Sequence, residues 1–482
     1  MTDLHFRSAT SLVRGLRQGE FSARELLEHF LARIDRLNPS INAVILQDRP
    51  GARARADAAD AARARGESLG ALHGLPMTVK ESYDVAGMPT TWGIPELRDN
   101  VVSQDALAVQ RLTAAGANVF GKTNVPIRLA DFQSYNVIYG TTGNPWNTER
   151  TPGGSSGGSA AALAAGLTGL EIGSDIGGSI RNPAHFCGVF GHKPTWNLCP
   201  MRGHALGGVL TPTDISVIGP LARSAYDLEA AVRLMALPDA MEAPGLQVSL
   251  RGLHEPTSAL RVAVWDSDPM CPSSTAVAQK VRAVAAALAD QGAAVNDTAR
   301  PEFSPEHSHE LFNALLASAM SARMPDADFA AMVARAERAS PDDRSPVAQQ
   351  ARWQTLRARD WVRLNEARTK LRWAWHRFFE RYDVLITPIM PTSAFAHDHK
   401  AFGQRTIDID GQQLPYFSQT FWAGLAGVSY LPATVIPGGL GPDGLPIGVQ
   451  LIGPAYSDMR LIQLAQRLEA LGFAFAAPPA CA

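Results

Sequence analysis

TPGGSSGGSA (residues 151–160) and GSDIGGSIRNP (173–183) are the two densest clusters of glycine and serine in the chain. Helix interiors and strands rarely use such runs, so the clusters indicate special backbone angles or a close approach of the backbone to another group. The segment between them contains apolar stretches, AALAAG (161–166) and GLEIG (169–173), which a flexible linker would not need. We therefore expect a built site here.

The first cluster also satisfies the G-x-S-x-G pattern of a hydrolase nucleophile elbow, at residues 153–157. That motif needs a strand directly before it and Asp and His partners downstream. The preceding NPWNTERTP (144–152) is not strand-like, and nothing singles out His397 or His399 as a partner. The residues around the motif therefore argue against a hydrolase nucleophile elbow.

Upstream, GLPMTVK (74–80) has the pattern of an apolar strand that ends on Lys80. Burial there would lower the pKa of the lysine and make it a base near neutral pH. Taken alone, however, Lys80 is better explained by an ion pair with Glu81 or Asp84 at the strand end.

Two nucleotide-binding patterns fail on their context. GANVFGKT (116–123) matches a P-loop, but a helix precedes the first glycine and a strand lies inside the motif, which reverses the required order. GLGPDG (439–444) matches G-x-G-x-x-G, but a second strand follows it, and Pro-Asp-Gly is typical of a turn. A helix C-cap and a β-hairpin are the expected structures.

Taken together, GLPMTVKESYDVAG (74–87), PGGSSGGSAAALAAG (152–166) and GSDIGGSIRNPAHFCGVFGHKPT (173–195) resemble the amidase signature family. The intervals fit its pattern, since Ser155 follows Lys80 by 75 residues and Ser179 follows Ser155 by 24. The resemblance is strong over residues 65–225. It extends more weakly to the ends through DVLITPIMPT (383–392) and LPATVIPGGLGPDGLPIGVQLIGP (431–454).

The resemblance implies a catalytic triad and its supporting residues. Ser179 would be the nucleophile, Ser155 a bridging serine after a cis peptide bond to Gly154, and Lys80 the base. The oxyanion hole would be formed by the backbone amides of Ile176, Gly177, Gly178 and Ser179. The residues implied to orient the loops are Ser156, Asp175 and Arg181. No metal and no cofactor is implied.

The resemblance also implies an α/β fold, with one large domain over residues 1–482 built on a mixed, mostly parallel β-sheet covered by helices on both faces. The hydrophobic pattern agrees, because strand-like and helical segments alternate. It predicts helices over 9–37, 51–66 and 274–291, a helix from about Gly178, and a helical insertion at about 306–380.

The motif does not determine the substrate. Candidate pocket residues, each of which would equally suit core packing, are Met77, Trp92, Phe132, Gln133, Tyr135, Tyr416, Gln419 and Trp422. Relatives often carry a Glu and an Asn-Ser pair near residues 128–140. Here the sequence RLADFQSYNVIYGTTGN (128–144) departs from that pattern, so polar substrate contacts cannot be transferred.

We expect hydrolysis of a small-molecule amide through a serine acyl-enzyme, with esters or carbamates as further substrates. The alternative is the glutamine-hydrolysing amidase subunit of a tRNA-dependent amidotransferase. A glutamine pocket would need side chains that bind the α-amino group and the α-carboxylate of glutamine, and the sequence identifies no such residues. The stretch HFCGVFGHKPTWNLCPMRGHALGG (185–208) favours a stand-alone amidase.

Composition limits the other classes. The 482 residues carry 44 Lys and Arg against 46 Asp and Glu, a formal net charge of −2, which argues against a nucleic-acid binder. The four cysteines, which form no C-x-x-C pair, are Cys187, Cys199, Cys271 and Cys481. With no long apolar run or signal core, we expect a cytoplasmic protein that does not bind membranes. Surface helices near the N-terminus are compatible with a homodimer.

Overall fold

Apolar segments from both halves of the chain form one large sheet in the computed structural model, which describes residues 4–482. The strands are β1 Val44–Gln47, β2 Pro76–Lys80, β3 Asn118–Thr123, β4 Tyr135–Asn136, β5 Gly140–Thr141, β6 Glu171–Asp175, β7 Phe190–Lys193, β8 Val217–Ala222, β9 Arg261–Val264, β10 Ala294–Asn296, β11 Val384–Thr387, β12 Thr406–Ile409, β13 Gln412–Pro415, β14 Ala433–Leu440 and β15 Pro446–Ile452. The helices are α1 Ala9–Gln18, α2 Ala23–Ile41, α3 Arg49–Ala64, α4 Leu107–Ala114, α5 Gly157–Ala164, α6 Arg181–Cys187, α7 Ala225–Met235, α8 Thr275–Asp290, α9 Pro305–Ser321, α10 Asp326–Arg338, α11 Pro346–Gln354, α12 Ala358–Arg381, α13 Thr420–Gly427 and α14 Asp458–Ala470.

The large sheet has eight strands in the order β10-β9-β11-β15-β14-β7-β8-β6. Strand β9 pairs in parallel with β10 and β11, and the other five pairings are antiparallel. The expected α/β class and mixed sheet are confirmed, but the parallel share is smaller than the resemblance implied. One reason is that β14 and β15 are joined by a tight turn, which allows only antiparallel pairing.

Helices cover both faces of this sheet. Neighbouring residues of its central strands point to opposite sides, and the residues on each side pack against helices. Val262 and Ile386 belong to one hydrophobic core, together with Val281 of α8. Their neighbours Ala263 and Leu385 belong to a second core with residues of α9, α12 and α13. The expected arrangement of helices on two faces is therefore confirmed.

A second, smaller sheet carries the strand that ends in Lys80. Its order is β1-β3-β2, with β2 parallel to β3 and β1 antiparallel to it. All five residues of β2 are buried. This strand therefore delivers the lysine to the interior of the protein.

The single helix predicted over residues 9–37 is wrong, because the chain breaks between α1 and α2. Gly19 ends α1 with a φ of 74°, a left-handed conformation that glycine adopts without a steric penalty. Ser22 and Glu25 then form a capping box, in which each side chain bonds the other residue's backbone N–H. Local stop and start signals therefore override the continuous apolar periodicity.

Other predicted elements are close to their observed bounds. The predicted surface helix over 51–66 is confirmed as α3, and four helices, α9–α12, occupy the stretch predicted as a helical insertion. The P-loop pattern contains β3, and GLGPDG joins β14 to β15, as expected. Over residues 4–482, no helix has the length and apolar character needed to cross a membrane.

Candidate functional site

The buried amine of Lys80 contacts two serines. Its Nζ lies 2.6 Å from Ser155 Oγ and 2.9 Å from Ser174 Oγ, and the residue has no solvent exposure. The alternative ion pair with Glu81 is not formed, because that carboxylate accepts backbone N–H groups, including the amide of Trp92 at 2.9 Å. The lysine and one serine of the implied triad are thus in direct contact.

Burial changes the acid–base behaviour of this lysine. Removal from water disfavours the ammonium form and lowers the pKa of Lys80 to about 7, although the nearby carboxylates of Asp175, Glu171 and Glu81 oppose the shift. The neutral form of Lys80 is therefore populated near neutral pH. A neutral amine can accept a proton from a neighbouring hydroxyl group.

The peptide bond between Gly154 and Ser155 is cis, as the resemblance implied. Asn182, which sequence reasoning missed, bonds both backbone groups of Gly154. Its Oδ1 accepts from Gly154 N at 3.0 Å, and its Nδ2 donates to Gly154 O and, at 3.0 Å, to Gly178 O. One amide side chain therefore ties the two glycine-serine clusters together.

Glycine is required at residue 154 for a spatial reason. A Cβ atom there would lie 2.3 Å from Asp131 O and 2.7 Å from Gln133 N, both of which are backbone atoms. Neither contact can be relieved by a side-chain rotation. The first cluster therefore marks a close approach of two backbones, which is one of the two explanations expected from its composition.

A buried ion pair shapes the second cluster. Asp175 and Arg181 have no exposed side-chain surface, and their Oδ1 and Nη2 atoms lie 2.9 Å apart. The Asp175 carboxylate also accepts the amide of Gly178 at 2.8 Å and that of Ile180 at 3.2 Å. Although burial alone would raise it, the Arg181 guanidinium lowers the pKa of Asp175 to about 2. The carboxylate therefore stays charged and folds the loop around itself.

This loop leaves a set of free backbone donors. Among residues 4–482, no group accepts the amide hydrogens of Ile176, Gly177 and Ser179, whereas the amide of Gly178 is already bonded to Asp175. Gly178 has a φ of 112°, which favours glycine, and the helix predicted to begin near it starts only at Arg181. Three of the four amides implied for an oxyanion hole are therefore available, and that of Gly178 is not.

Ser179 is held beside the first cluster. Its carbonyl oxygen accepts the amide of Ser156 at 3.1 Å, and the residue is 7% exposed. Ser156 Oγ in turn donates to Ser174 O at 3.3 Å. Ser174, a further residue that the sequence did not single out, thus contacts both Lys80 and Ser156.

Three apolar side chains lie next to Gly177 and Gly178, together with Asn182 Nδ2, which would lie 3.7 Å from a Cβ atom on Gly178. Built on Gly178, a Cβ atom would lie 3.2 Å from Ala423 Cβ and 3.9 Å from Phe132 Cε1, and one on Gly177 would lie 3.9 Å from Leu316 Cδ2. The candidate pocket residue Phe132 is therefore at the glycine loop. The other two apolar side chains come from α13 and α9.

Three other pocket candidates, Tyr416, Tyr135 and Gln133, form hydrogen bonds within the protein. Tyr416 Oη donates to Asp131 Oδ1 at 2.8 Å, and Arg405 bonds both Asp131 Oδ2 at 2.7 Å and Tyr135 Oη at 2.8 Å. The Gln133 amide makes two bonds to the backbone of the segment between β11 and β12. This buried network positions the segment that carries Phe132.

Two further pocket candidates lie in the hydrophobic cores. Met77 is buried among the apolar residues of the N-terminal core, and Trp422 packs against Trp265 with its Nε1 bonded to Cys271 O at 3.1 Å. Both side chains are fully buried and pack in these cores. Trp92 is nearly buried and lies beside His204 and under the Arg323 guanidinium.

Replacing Asp175 by Asn is expected to lower the free energy of unfolding by about 3–5 kcal/mol, because the buried Arg181 guanidinium would lose its counter-charge. Urea unfolding followed by tryptophan fluorescence measures the change. The matched control is Asp360→Asn in the exposed pair Asp360–Arg363, where we expect less than about 0.5 kcal/mol. Equal urea midpoints for Asp175→Asn and the wild type would contradict a structural role for the buried pair.

Comparisons with known proteins identify the relatives of this chain. The profile of the family described as Amidase matches residues 25–462. Curated relatives include the A subunit of glutamyl-tRNA(Gln) amidotransferase from Synechococcus sp. strain CC9605, which is 34% identical over 97% of this chain and 96% of its own length. The corresponding protein of Roseiflexus sp. strain RS-1 is 33% identical over 96% of both chains.

Solved structures share the same fold. One is an inhibitor-bound complex from work on a vestigial protein complex and the evolutionary origins of an s-triazine catabolic enzyme. It is 30% identical to this chain with a TM-score of 0.81, and the match covers 97% of this chain and 99% of the other. A substrate complex of 6-aminohexanoate cyclic dimer hydrolase is 27% identical with a TM-score of 0.79, covering 99% and 100%. The similarity therefore extends over whole chains.

Proposed function

This chain belongs to the amidase signature family, and from that premise we propose that it is a stand-alone hydrolase that cleaves carboxylic amides through an acyl-enzyme on Ser179. The observation that carries the proposal is the 2.6 Å contact between the buried Lys80 Nζ and Ser155 Oγ. A bridging serine can pass a proton on to a lysine only if the amine lies within hydrogen-bond reach of its hydroxyl group.

In the proposed reaction, neutral Lys80 takes a proton from Ser155 while Ser155 takes one from Ser179. The Ser179 oxygen forms a bond to the amide carbonyl carbon. The proton returns through Ser155 to the leaving nitrogen, the carbon–nitrogen bond breaks, and an ester of Ser179 remains. Water then attacks that ester through the same relay and releases the carboxylic acid.

The tetrahedral intermediate carries a negative oxygen, for which we assign the amides of Ile176, Gly177 and Ser179. Donors held in place before the reaction stabilise such an oxygen, and loss of one typically costs about 100- to 1,000-fold in rate. Gly178 is left out of this set because its amide donates to Asp175. Esters and carbamates present the same carbonyl, so we include them as further substrates.

The second candidate function is glutamine hydrolysis as part of a tRNA-dependent amidotransferase. The curated relatives that are named as subunits of such an enzyme, at 33–34% identity over nearly the whole chain, favour it. Free glutamine carries an α-ammonium and an α-carboxylate, which need charged partners once they are removed from water.

The surroundings of the glycine loop support the stand-alone function over this alternative. Next to Gly177 and Gly178 lie the apolar side chains of Phe132, Leu316 and Ala423 and the uncharged amide of Asn182. The charged residues behind Phe132, Asp131 and Arg405, are bonded to each other at 2.7 Å and buried. An uncharged acyl group therefore suits this environment better than an amino acid does.

An activity screen tests the proposal. We expect the purified chain alone to hydrolyse members of a panel of aliphatic amides, anilides and carbamates, and to show little activity on glutamine. Labelling with a serine-reactive fluorophosphonate followed by peptide mapping should place the adduct on Ser179. Glutaminase activity that appears only with added amidotransferase subunits would instead establish the second candidate.

A further inference from the structure

Two helices meet in front of the glycine loop, and each touches it with one side chain. Leu316 of α9 lies next to Gly177, and Ala423 of α13 lies next to Gly178. Because residues three or four apart share a helix face, the faces that carry these contacts continue to His309 and Asn313 on α9 and to Gln419 and Thr420 at the start of α13. The two faces are joined where Thr420 Oγ1 lies 3.4 Å from Asn313 Oδ1.

Gln419 presents a free hydrogen-bond acceptor on this face. The residue has no solvent exposure, and its Nε2 donates to Tyr416 O at 2.8 Å. That bond determines the orientation of the amide, since a carbonyl oxygen can be paired only with the NH₂ end. The opposite atom, Oε1, is buried and receives no hydrogen bond from residues 4–482.

His309 presents the complementary group on the facing helix. Its Nε2 lies 3.1 Å from Asn313 Nδ2. With that NH₂ group as the donor, Nε2 accepts and the neutral ring carries its single hydrogen on Nδ1. The Nδ1 atom is shielded from solvent and has no partner within residues 4–482. Burial lowers the pKa of His309 to about 4, which keeps the ring uncharged at neutral pH.

A buried polar atom without a partner is costly, and a ligand that bonded both atoms would remove that cost. From these contacts we propose that Gln419 Oε1 and His309 Nδ1 form a subsite for an uncharged polar group of the substrate, a second carboxamide that donates its NH₂ to Gln419 and accepts from His309. The preferred substrate class is then a diamide. This inference rests on the proposed function, because it places the second amide relative to the carbonyl held by the glycine loop.

Helix geometry gives the spacing. With a rise of about 1.5 Å per residue, Gln419 stands about 6 Å along α13 from the contact of Ala423 with the loop, and His309 about 10 Å along α9 from that of Leu316. The two carbonyl groups of the substrate should therefore lie about 6–10 Å apart. The stretch between them meets Phe132, Leu316 and Ala423, which suits a hydrocarbon chain.

Substrate comparison provides the first test. The wild-type enzyme is assayed on a series of linear diamides and on the monoamides of the same chain length. We expect kcat/KM for the best diamide to exceed that of its matched monoamide by roughly tenfold, with an optimum chain length in the series. Equal values across the series would overturn the inference while leaving amide hydrolysis on Ser179 intact.

Variants provide the second test, read as the ratio of kcat/KM for diamide over monoamide. Gln419→Leu and His309→Leu should each bring the ratio close to one, whereas His309→Asn should preserve it, because the Asn amide nitrogen can take the place of Nδ1. Gln350→Leu, at an exposed position on α11, is the matched control and should keep the wild-type ratio.

An unchanged ratio in both leucine variants would overturn the subsite. If neither diamides nor monoamides are hydrolysed and Ser179 takes up no fluorophosphonate, the proposed function itself fails. The two failures are thereby distinguished.

Discussion

Replacing Ser179 by Ala is expected to lower kcat for amide hydrolysis by about 10⁴- to 10⁶-fold, because the acyl-enzyme could no longer form. The change removes one oxygen from a residue that is 7% exposed, so folding should be preserved. All three backbone amides assigned to the oxyanion hole, including that of residue 179, would remain, and substrate binding should change little. Steady-state rates together with fluorophosphonate labelling measure the effect, and both should disappear in the variant.

Ser103→Ala is the matched control for this prediction, since Ser103 is exposed and lies outside the glycine-serine clusters. It should retain wild-type activity and the label. A Ser179→Ala enzyme that still hydrolyses amides at the wild-type rate, or an adduct mapped to another residue, would remove Ser179 from the role of nucleophile.

Replacing Lys80 by Met is expected to lower kcat/KM at pH 8 by about 10²- to 10⁴-fold, the range that a general base contributes. Methionine keeps the length of the side chain in a buried position but cannot accept a proton. In the wild type, the neutral fraction of Lys80 grows as pH rises through its pKa of about 7, so kcat/KM should rise over the same range. The variant should lose this dependence.

The same titration predicts a stability difference. The folded-state pKa of about 7 lies below the ordinary value of 10.5, so the unfolded chain binds more protons between these values. Wild-type stability relative to Lys80→Met should therefore rise as pH increases from about 7 towards 10.5. Urea unfolding at several pH values checks the sign, and a difference that falls with pH would contradict it.

Lys370→Met, at an exposed position on α12, is the control and should leave both the rate and its pH profile unchanged. Near wild-type hydrolysis by Lys80→Met at pH 7–8 would exclude Lys80 as the base.

The sequence predicted the features that depend on local order along the chain. The strand ending at Lys80, the turn chemistry of GLGPDG and the reversed order around GANVFGKT follow from neighbouring residues, and the structure agrees with each. The break between α1 and α2 was also marked locally, by Gly19 and the Ser22–Glu25 pair. The apolar periodicity that continues across the break hid these signals.

Features that depend on contacts between distant segments could not be predicted in this way. Asn182 is important because it reaches Gly154, 28 residues away, and nothing in its own neighbourhood announces that bond. Likewise, His309 and Gln419 lie on facing helices that are remote in sequence. Gly178 was expected to supply a free amide, but Asp175 folds back onto it. The roles assigned to Lys80 and Ser179 stay predictions until they are tested by substitution.

The order of strands in the large sheet has a consequence for synthesis of the protein on the ribosome. Strand β7 can pair with β8 soon after both have been synthesised. Its other neighbour is β14, in which Ala433 pairs with Lys193 and lies 240 residues further along the chain. At about 5–20 residues per second, the β7 edge waits about 10–50 s for this partner. An open edge is a template for wrong pairing, so the nascent chain is exposed to aggregation throughout that interval. The region that carries both glycine-serine clusters is therefore complete only after nearly the whole chain has been translated.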